Sequence, residues 1–158
     1  MPRRKVVLAN QEIYHIFNKF VADEEVFDKA RYLSHAINLL EYYQKPQKIR
    51  YSAFKKLNNE EKKKYSKLLT TLDPYVEIFS YALMPNHYHI LLKQVSENGI
   101  QKFIANFQNS FARYYNLKNK RRGSLFINAF KSKRVENESI LLHISRYIHL
   151  NPVTSYLN

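Results

Sequence analysis

The sequence contains no cysteine, which excludes a disulfide framework, a thiolate zinc site and a cysteine nucleophile. It also has no apolar run that approaches the roughly 18 residues that a membrane helix needs. We therefore expect a soluble protein with no membrane partner, in a reducing compartment such as the cytoplasm. The 158 residues, 45% of them hydrophobic, are enough for a single domain with its own core.

Acidic residues are scarce as well. The chain has 13 Asp and Glu against 26 Lys and Arg, a formal net charge of +13, and 15% of its residues are aromatic. Basic side chains attract phosphates and aromatic rings stack on unpaired bases, so the composition favours a nucleic-acid partner. A basic surface that only keeps the protein soluble is the alternative interpretation.

Hydrophobic periodicity predicts the order of the secondary structure. Residues 12–21 are rich in β-branched and aromatic types and predict a strand, after which Asp23 is expected to cap a helix that runs to about Tyr43. Residues 45–72 form a basic insertion in which we expect one or two short helices. The remaining elements are expected in this order: a strand at 75–83, a turn at 84–86, a strand at 87–93, a helix that begins near Ile100 and ends in the basic run 118–122, a strand at 125–135, and a helix that Asn137 begins and Asn151-Pro152 ends.

This order of elements repeats strand–helix–strand twice. It is typical of ferredoxin-like α+β proteins, in which an antiparallel βαββαβ sheet carries two helices on one face. We therefore expect residues 1–158 to form a single ferredoxin-like domain, with the basic helical insertion at about 45–72 and an additional C-terminal helix.

Two histidines begin the strand at 87–93. Because side chains alternate across a strand, His87 and His89 point to one face and Tyr88 points to the other, toward the core. Two imidazoles on one face can bind a cation. A His-x-His pair also arises by chance, so the same residues can be read as two polar side chains at the start of a strand.

The final helix carries a second pair of polar residues. Tyr147 and Asn151 are four positions apart and lie on one face of that helix, so the tyrosine could be a nucleophile and the amide a third metal ligand. The alternative is a packed aromatic residue followed by a helix cap. Tyr114 and Tyr115 are the rival nucleophiles.

Four segments, read together, carry a resemblance to a known family: "YALMPNHYHILL", "FARYYN", "FKSKRV" and "YIHLNPV". They resemble the single-tyrosine transposases of the HUH nuclease superfamily, in particular the REP-associated and IS200-like tyrosine transposases, in order and over nearly the whole chain. The resemblance implies a metal-dependent single-stranded DNA endonuclease and strand transferase that forms a 5′-phosphotyrosine and leaves a 3′-OH.

The resemblance also implies roles for individual residues. His87 and His89 match the metal ligands, Tyr147 matches the nucleophile, and Asn151 matches the position that completes the metal site, where many insertion-sequence members have Gln. The implied metal is Mg²⁺ or Mn²⁺, and the implied partner is single-stranded DNA with hairpins, bound by a monomer or homodimer in the prokaryotic cytoplasm.

Basic residues near these segments are candidates for contacts with DNA phosphates, which position a strand without reading it. The candidates are Arg3, Arg4, Lys131, Lys133, Arg134 and Arg146. His15, on the first strand, is interpreted as structural, with a supporting role beside the metal ligands as the alternative. The function from a different class is a non-catalytic, ferredoxin-like protein that binds single-stranded nucleic acid.

Overall fold

A computed structural model describes residues 7–127 and 129–157, with side chains up to position 150. The elements, in chain order, are β1 (Ile13–Lys19), α1 (Ala30–Tyr43), α2 (Tyr51–Lys55), α3 (Asn59–Leu69), β2 (Val76–Met84), β3 (His87–Gln94), α4 (Gly99–Lys118), β4 (Lys131–Arg134) and α5 (Glu138–Leu157). None of the helices in the described residues is long and apolar enough to cross a membrane.

The four strands form one antiparallel sheet in the order β2-β3-β1-β4. This order, with the two strand–helix–strand units that produce it, confirms the ferredoxin-like α+β fold. The two central strands, β1 and β3, come from opposite ends of the βαββ segment. Any side chain on either of them therefore has sheet neighbours that lie far away in the sequence.

The main core lies between the sheet and helices α1 and α4. Tyr14, Ile16, Tyr88, Ile90 and Leu92 point to this face and pack with aromatic residues of α4 in one buried cluster. Each such side chain contributes about 1.5–3 kcal/mol when it leaves water. Tyr88 is fully buried, and its hydroxyl donates to Gln108 Oε1 at 2.7 Å, so its predicted core position is confirmed.

The opposite face of the sheet is covered by α5. A smaller apolar cluster, made of Ala82, Leu91, Val135 and Ile148, joins the helix to the strands. His87 and His89 alternate with the core-facing residues of β3 and therefore point to this second face. The sheet thus separates the main core from the face that carries the histidines.

The first helix begins later than predicted. Asp23 belongs to a short 3-10 helix and has a positive φ of 51°, and α1 starts only at Ala30. The intervening Val26 and Phe27 are buried as loop residues, and the Phe27 N–H donates to the Pro85 carbonyl at 3.0 Å. Tertiary packing and this hydrogen bond hold the segment as a loop, where a helical turn was expected. The prediction that Asp23 caps α1 was therefore wrong.

The last strand and the last helix also differ from the prediction. Only Lys131–Arg134 pair as a strand, because Ala129 has a positive φ of 61° and Phe126 makes an isolated bridge to Phe20. Asn137 does cap α5, since its Oδ1 accepts from the Ile140 N–H at 2.9 Å. The helix then continues through Asn151 and Pro152 to Leu157 rather than ending there.

The basic insertion contains two short helices, as expected. Asn58 caps α3 with a capping box in which its side chain accepts from the Glu61 N–H and the Glu61 carboxylate accepts from the Asn58 N–H. Within the insertion, the Tyr65 hydroxyl accepts from the Lys48 N–H at 2.9 Å and donates to Gln47 Oε1. The rings of Tyr51 and Phe54 pack on Tyr42 of α1, so the insertion lies beside α1, on the side of the main core.

Gly99, the first residue of α4, is expected to tolerate no side chain. An added Cβ would lie 2.1 Å from the Tyr75 carbonyl oxygen, a backbone atom that cannot turn aside. We expect Gly99→Ala to lower the free energy of unfolding by about 1–3 kcal/mol, measured by urea denaturation. Wild-type stability of Gly99→Ala would contradict the close approach of α4 to Tyr75.

Candidate active site

Three histidine rings gather on the α5 face of the sheet. The rings of His87 and His89, successive outward residues of β3, have centroids 4.9 Å apart and are nearly perpendicular, at 88°. The His15 ring of β1 stacks on His89 with centroids 5.1 Å apart. Phe17 is the direct cross-strand partner of His89 and contacts both His15 and His89 with its ring. The antiparallel pairing of β1 with β3 therefore builds the cluster.

Helix α5 places Tyr147 beside this cluster. The Tyr147 ring lies edge-on to His89, with centroids 5.5 Å apart and planes at 83°. The next residue, Ile148, is fully buried in the cluster that fixes α5 to the sheet, whereas the Tyr147 side chain remains 48% exposed. The structure thus brings together the histidine pair and the tyrosine that the sequence singles out, and it leaves the tyrosine open to solvent.

Hydrogen bonds determine which nitrogens of the paired histidines are available. His87 Nδ1 lies 2.6 Å from Asn86 Oδ1, and because that amide oxygen only accepts, Nδ1 carries the proton and Nε2 keeps a lone pair. His89 Nδ1 lies 2.9 Å from His15 Nε2. His89 Nε2 is buried and has no hydrogen-bond partner among the described residues.

Burial keeps these imidazoles neutral. It lowers the pKa of His89 to about 4, and the neighbouring His15 and His87 add to the shift. Burial and then the positive charge of Lys133 lower the pKa of His15 to about 4. The pKa of His87 is lowered by burial as well. At neutral pH each ring therefore has one nitrogen lone pair, which is the form that binds a metal.

His87 and His89 offer two neutral imidazole donors, a ligand type that divalent transition-metal ions accept. The unpartnered His89 Nε2 would cost about 1–3 kcal/mol if it met neither a hydrogen bond nor a cation. Within the described residues, no group of three or more His, Cys, Asp or Glu could hold a metal ion. His87 and His89 would therefore supply two nitrogen ligands, and oxygen atoms from groups other than Asp or Glu side chains would have to complete the site. Asn151 lies one helical turn beyond Tyr147, but its side chain is outside the described part of the chain.

The predicted phosphate-binding residues take different positions. Lys131 and Lys133 are exposed and are the cross-strand partners of Phe17 and His15, so they lie on the histidine face. Arg134 pairs with Tyr14 on the opposite face and makes an ion pair with Glu12 at 3.1 Å. Arg146 is exposed on α5 next to Tyr147. Arg3 and Arg4 lie outside the described residues.

The rival tyrosines are on the other side of the sheet. Tyr114 stacks on His35, with ring centroids 3.8 Å apart, and Tyr115 donates to Glu24 at 2.7 Å. Both belong to α4, which packs on the main core. Burial and the Glu24 hydrogen bond raise the pKa of Tyr115 to about 12, which disfavours its phenolate. The structure therefore separates Tyr114 and Tyr115 from the histidine pair.

A cavity of about 410 Å³ lies elsewhere, against the insertion, and its lining includes Tyr42, Phe54 and Tyr65. It is built from α1, the insertion and the start of β2, away from the three-histidine cluster. The candidate site lies instead where α5 meets the sheet, with the Tyr147 side chain exposed to solvent.

The sequence left the role of His15 open between a structural one and a supporting one, and the structure shows its hydrogen bond with His89. A signal for it exists in the alternation of β1, where His15 and Phe17 occupy outward positions. That signal becomes specific only once the register sets Phe17 opposite His89.

Comparisons with known proteins agree with this fold. The family model of IS200-like transposases matches residues 46–151. The solved structure of a REP-associated tyrosine transposase bound to a REP hairpin is similar over 98% of this chain and 74% of its own, with 14% identity and a TM-score of 0.63. A candidate transposase from Deinococcus radiodurans R1 is similar over 94% of this chain and 96% of its own, with 13% identity and a TM-score of 0.51. No curated protein matches the sequence.

The fold and the site define a ferredoxin-like α+β protein with a histidine pair facing a helix-borne tyrosine. At such low identity the solved structures show that the fold is shared. The family model covers more than half of the chain, including His87, His89 and Tyr147, so the chain belongs to the IS200-like transposase family. This membership supports a transposase function.

Acid should destabilise the metal-free protein through the buried histidines. The unfolded chain protonates a histidine at the ordinary pKa of 6.5, whereas folded His15 and His89 do so only at about 4. The unfolded state therefore binds more protons between these values, and the free energy of unfolding should fall as the pH drops from 6.5 to about 4. Urea denaturation in a chelating buffer at each pH measures this free energy of unfolding.

The variant His89→Gln should reduce this pH dependence, because it removes one of the buried histidines. It should not abolish it, since burial also lowers the pKa of His35 on α1 to about 4 and lowers the pKa of His87. His143→Gln, which removes an exposed histidine of α5, is the matched control for removal of an imidazole. A free energy of unfolding that stays constant across this pH range in the wild type would contradict the burial of neutral histidines.

Proposed function

We propose that the protein is a metal-dependent single-stranded DNA endonuclease and strand transferase with Tyr147 as its nucleophile. The observation that carries the proposal is the contact between Tyr147 and His89, two residues from distant parts of the sequence, beside a buried nitrogen without a partner. Family membership supports the same activity. The half-exposed phenol is accessible to a DNA strand.

In the proposed reaction the Tyr147 hydroxyl oxygen attacks a backbone phosphorus atom. A bond forms between that oxygen and phosphorus, the bond from phosphorus to the 3′ oxygen breaks, and a 5′-phosphotyrosine results. The proton that leaves the phenol is balanced by the proton that the departing 3′ oxygen gains. Attack by the 3′-OH of another strand reverses these steps and joins the two strands.

The proposed metal ligands are His87 and His89 through their Nε2 atoms, with Asn151 as a third ligand. When bound there, a divalent cation would neutralise charge on the scissile phosphate and would polarise it toward attack. Mg²⁺ and Mn²⁺ are the proposed ions, and imidazole ligands favour Mn²⁺ of the two.

The proposed substrate is single-stranded DNA next to a hairpin. The similar tyrosine transposase was solved with a REP hairpin, and the net charge of +13 suits a DNA partner here. Lys131 and Lys133 can meet phosphates on the histidine face, and Arg146 can meet them next to the nucleophile. The protein would act as a monomer or homodimer in the prokaryotic cytoplasm.

The first test is formation of a covalent adduct. Wild-type protein, Mn²⁺ and labelled single-stranded DNA carrying hairpins should give a protein–DNA band that survives denaturing electrophoresis. Tyr147→Phe should abolish the band, because it removes the attacking oxygen and keeps the ring. Tyr81→Phe is the matched control, since Tyr81 is a comparably exposed tyrosine on β2.

The outcomes separate the two candidate functions. An adduct that survives Tyr147→Phe would mean that another residue is the nucleophile. DNA binding with no adduct from the wild type, unchanged in His87→Ala and His89→Ala, would favour the non-catalytic binding protein. Disappearance of the adduct in both histidine variants, with folding retained, is the result expected for the enzyme.

Neutralising Lys131 and Lys133 should weaken DNA binding. In the double variant Lys131→Gln/Lys133→Gln, the negative slope of log affinity against log salt should become less steep. The change should be about 0.7 for each phosphate that a lysine no longer neutralises. Fluorescence anisotropy with single-stranded DNA measures the slope. Lys102→Gln removes a charge from α4, where Lys102 lies over the Tyr75 ring, and should leave the slope unchanged. An unchanged slope in the double variant would place the DNA on another surface.

A further inference from the structure

His15 stands outside the proposed pair of metal ligands but contacts it directly. It lies on β1 with only 8% of its surface exposed, and its Nε2 is 2.9 Å from His89 Nδ1. The contact involves Nδ1 of His89, and the Nε2 of the same ring has no partner among the described residues. A role for His15 must therefore act through His89.

We propose that His15 is a positioning residue: it accepts a hydrogen bond from His89 Nδ1–H and so holds His89 in the tautomer whose Nε2 lone pair can bind a divalent cation. The proposal rests on the metal-dependent function proposed above and adds a residue to it. It assigns to His15 no contact with metal or DNA.

Counting protons leaves two arrangements, and only one of them lets His89 bind a cation through Nε2. A neutral imidazole carries one N–H, so one of the two facing nitrogens must donate and the other must accept. If His15 donated, the single proton of His89 would sit on its buried Nε2, where no acceptor lies among the described residues. If His89 donates from Nδ1, its Nε2 keeps a lone pair that a cation can use.

His87 provides an independent parallel. Its Nδ1–H donates to Asn86 Oδ1, so its lone pair is also on Nε2. With His15 as the acceptor, both histidines of the pair are held through Nδ1 and both present Nε2. Groups that accept a hydrogen bond from a ligating histidine fix its orientation and raise its basicity, and their removal typically weakens metal binding by about 10–100-fold.

Packing holds His15 where the hydrogen bond requires it. Its ring stacks on His89 at an interplanar angle of 26° and contacts Phe17 at a centroid distance of 5.0 Å. The β1–β3 register sets Phe17 directly opposite His89, so the three rings form one packed group. Rotation of the His15 ring would break these contacts as well as the hydrogen bond.

The test compares Mn²⁺ affinity among His15 variants by electron paramagnetic resonance without DNA. His15→Phe keeps a packed ring and removes the acceptor, so Mn²⁺ binding should weaken by about 10–100-fold. His15→Gln can present an amide oxygen near the former Nε2 position and should recover most of the affinity. His35→Phe is the matched control, because His35 packs on Tyr114 on the other side of the sheet.

A second measurement uses the wild type, so it does not depend on whether a variant folds. Long-range proton–nitrogen NMR of the metal-free wild type reports the tautomer of each histidine, and His89 should carry its proton on Nδ1. A proton on His89 Nε2 would overturn the proposal, and so would wild-type Mn²⁺ affinity in a folded His15→Phe protein.

Failure of the metal site itself gives a different pattern. Wild-type protein that binds no Mn²⁺ would contradict the proposed function and this inference together. Mn²⁺ binding that His87→Ala and His89→Ala abolish but His15→Phe leaves intact would contradict only the role of His15.

Discussion

The antiparallel pairing of β1 with β3 is the constraint on which the candidate site depends. It sets Phe17 opposite His89 and brings the His15 ring onto the His89 ring. Side chains alternate along a strand, so the strand residues that do not point into the α1–α4 core point to the α5 face. A slip of one residue in this register would exchange the two faces of a strand and bury the histidines in the core.

The two faces of the sheet carry different loads. The α1–α4 face holds the large aromatic core, which supplies most of the apolar burial. The α5 face has a small cluster around Ile148, enough to dock the helix while Tyr147 stays half exposed. Most of the apolar burial that stabilises the fold therefore lies on one face. The other face can carry polar groups and buried nitrogen atoms beside a tyrosine that a polymer can reach.

Much of the fold follows from periodicity in the sequence, whereas the meeting of His87, His89 and Tyr147 at one site was implied by the family resemblance. The errors occur where tertiary contacts override local signals. Asp23 has the residue type of a helix cap, but buried Val26 and Phe27 hold the following segment as a loop. The hydrogen bond from His89 to His15 depends on a register that no single strand reveals.

The claim that Tyr147 and the histidine pair form one metal-dependent cleavage site is tested most directly by tandem mass spectrometry. Wild-type protein would be incubated with single-stranded DNA with and without Mn²⁺, digested, and searched for the nucleotide-bearing peptide. We expect a nucleotide linked through phosphate to Tyr147, in the Mn²⁺ sample only. A linkage to another residue, or an equal yield at Tyr147 without metal, would contradict it.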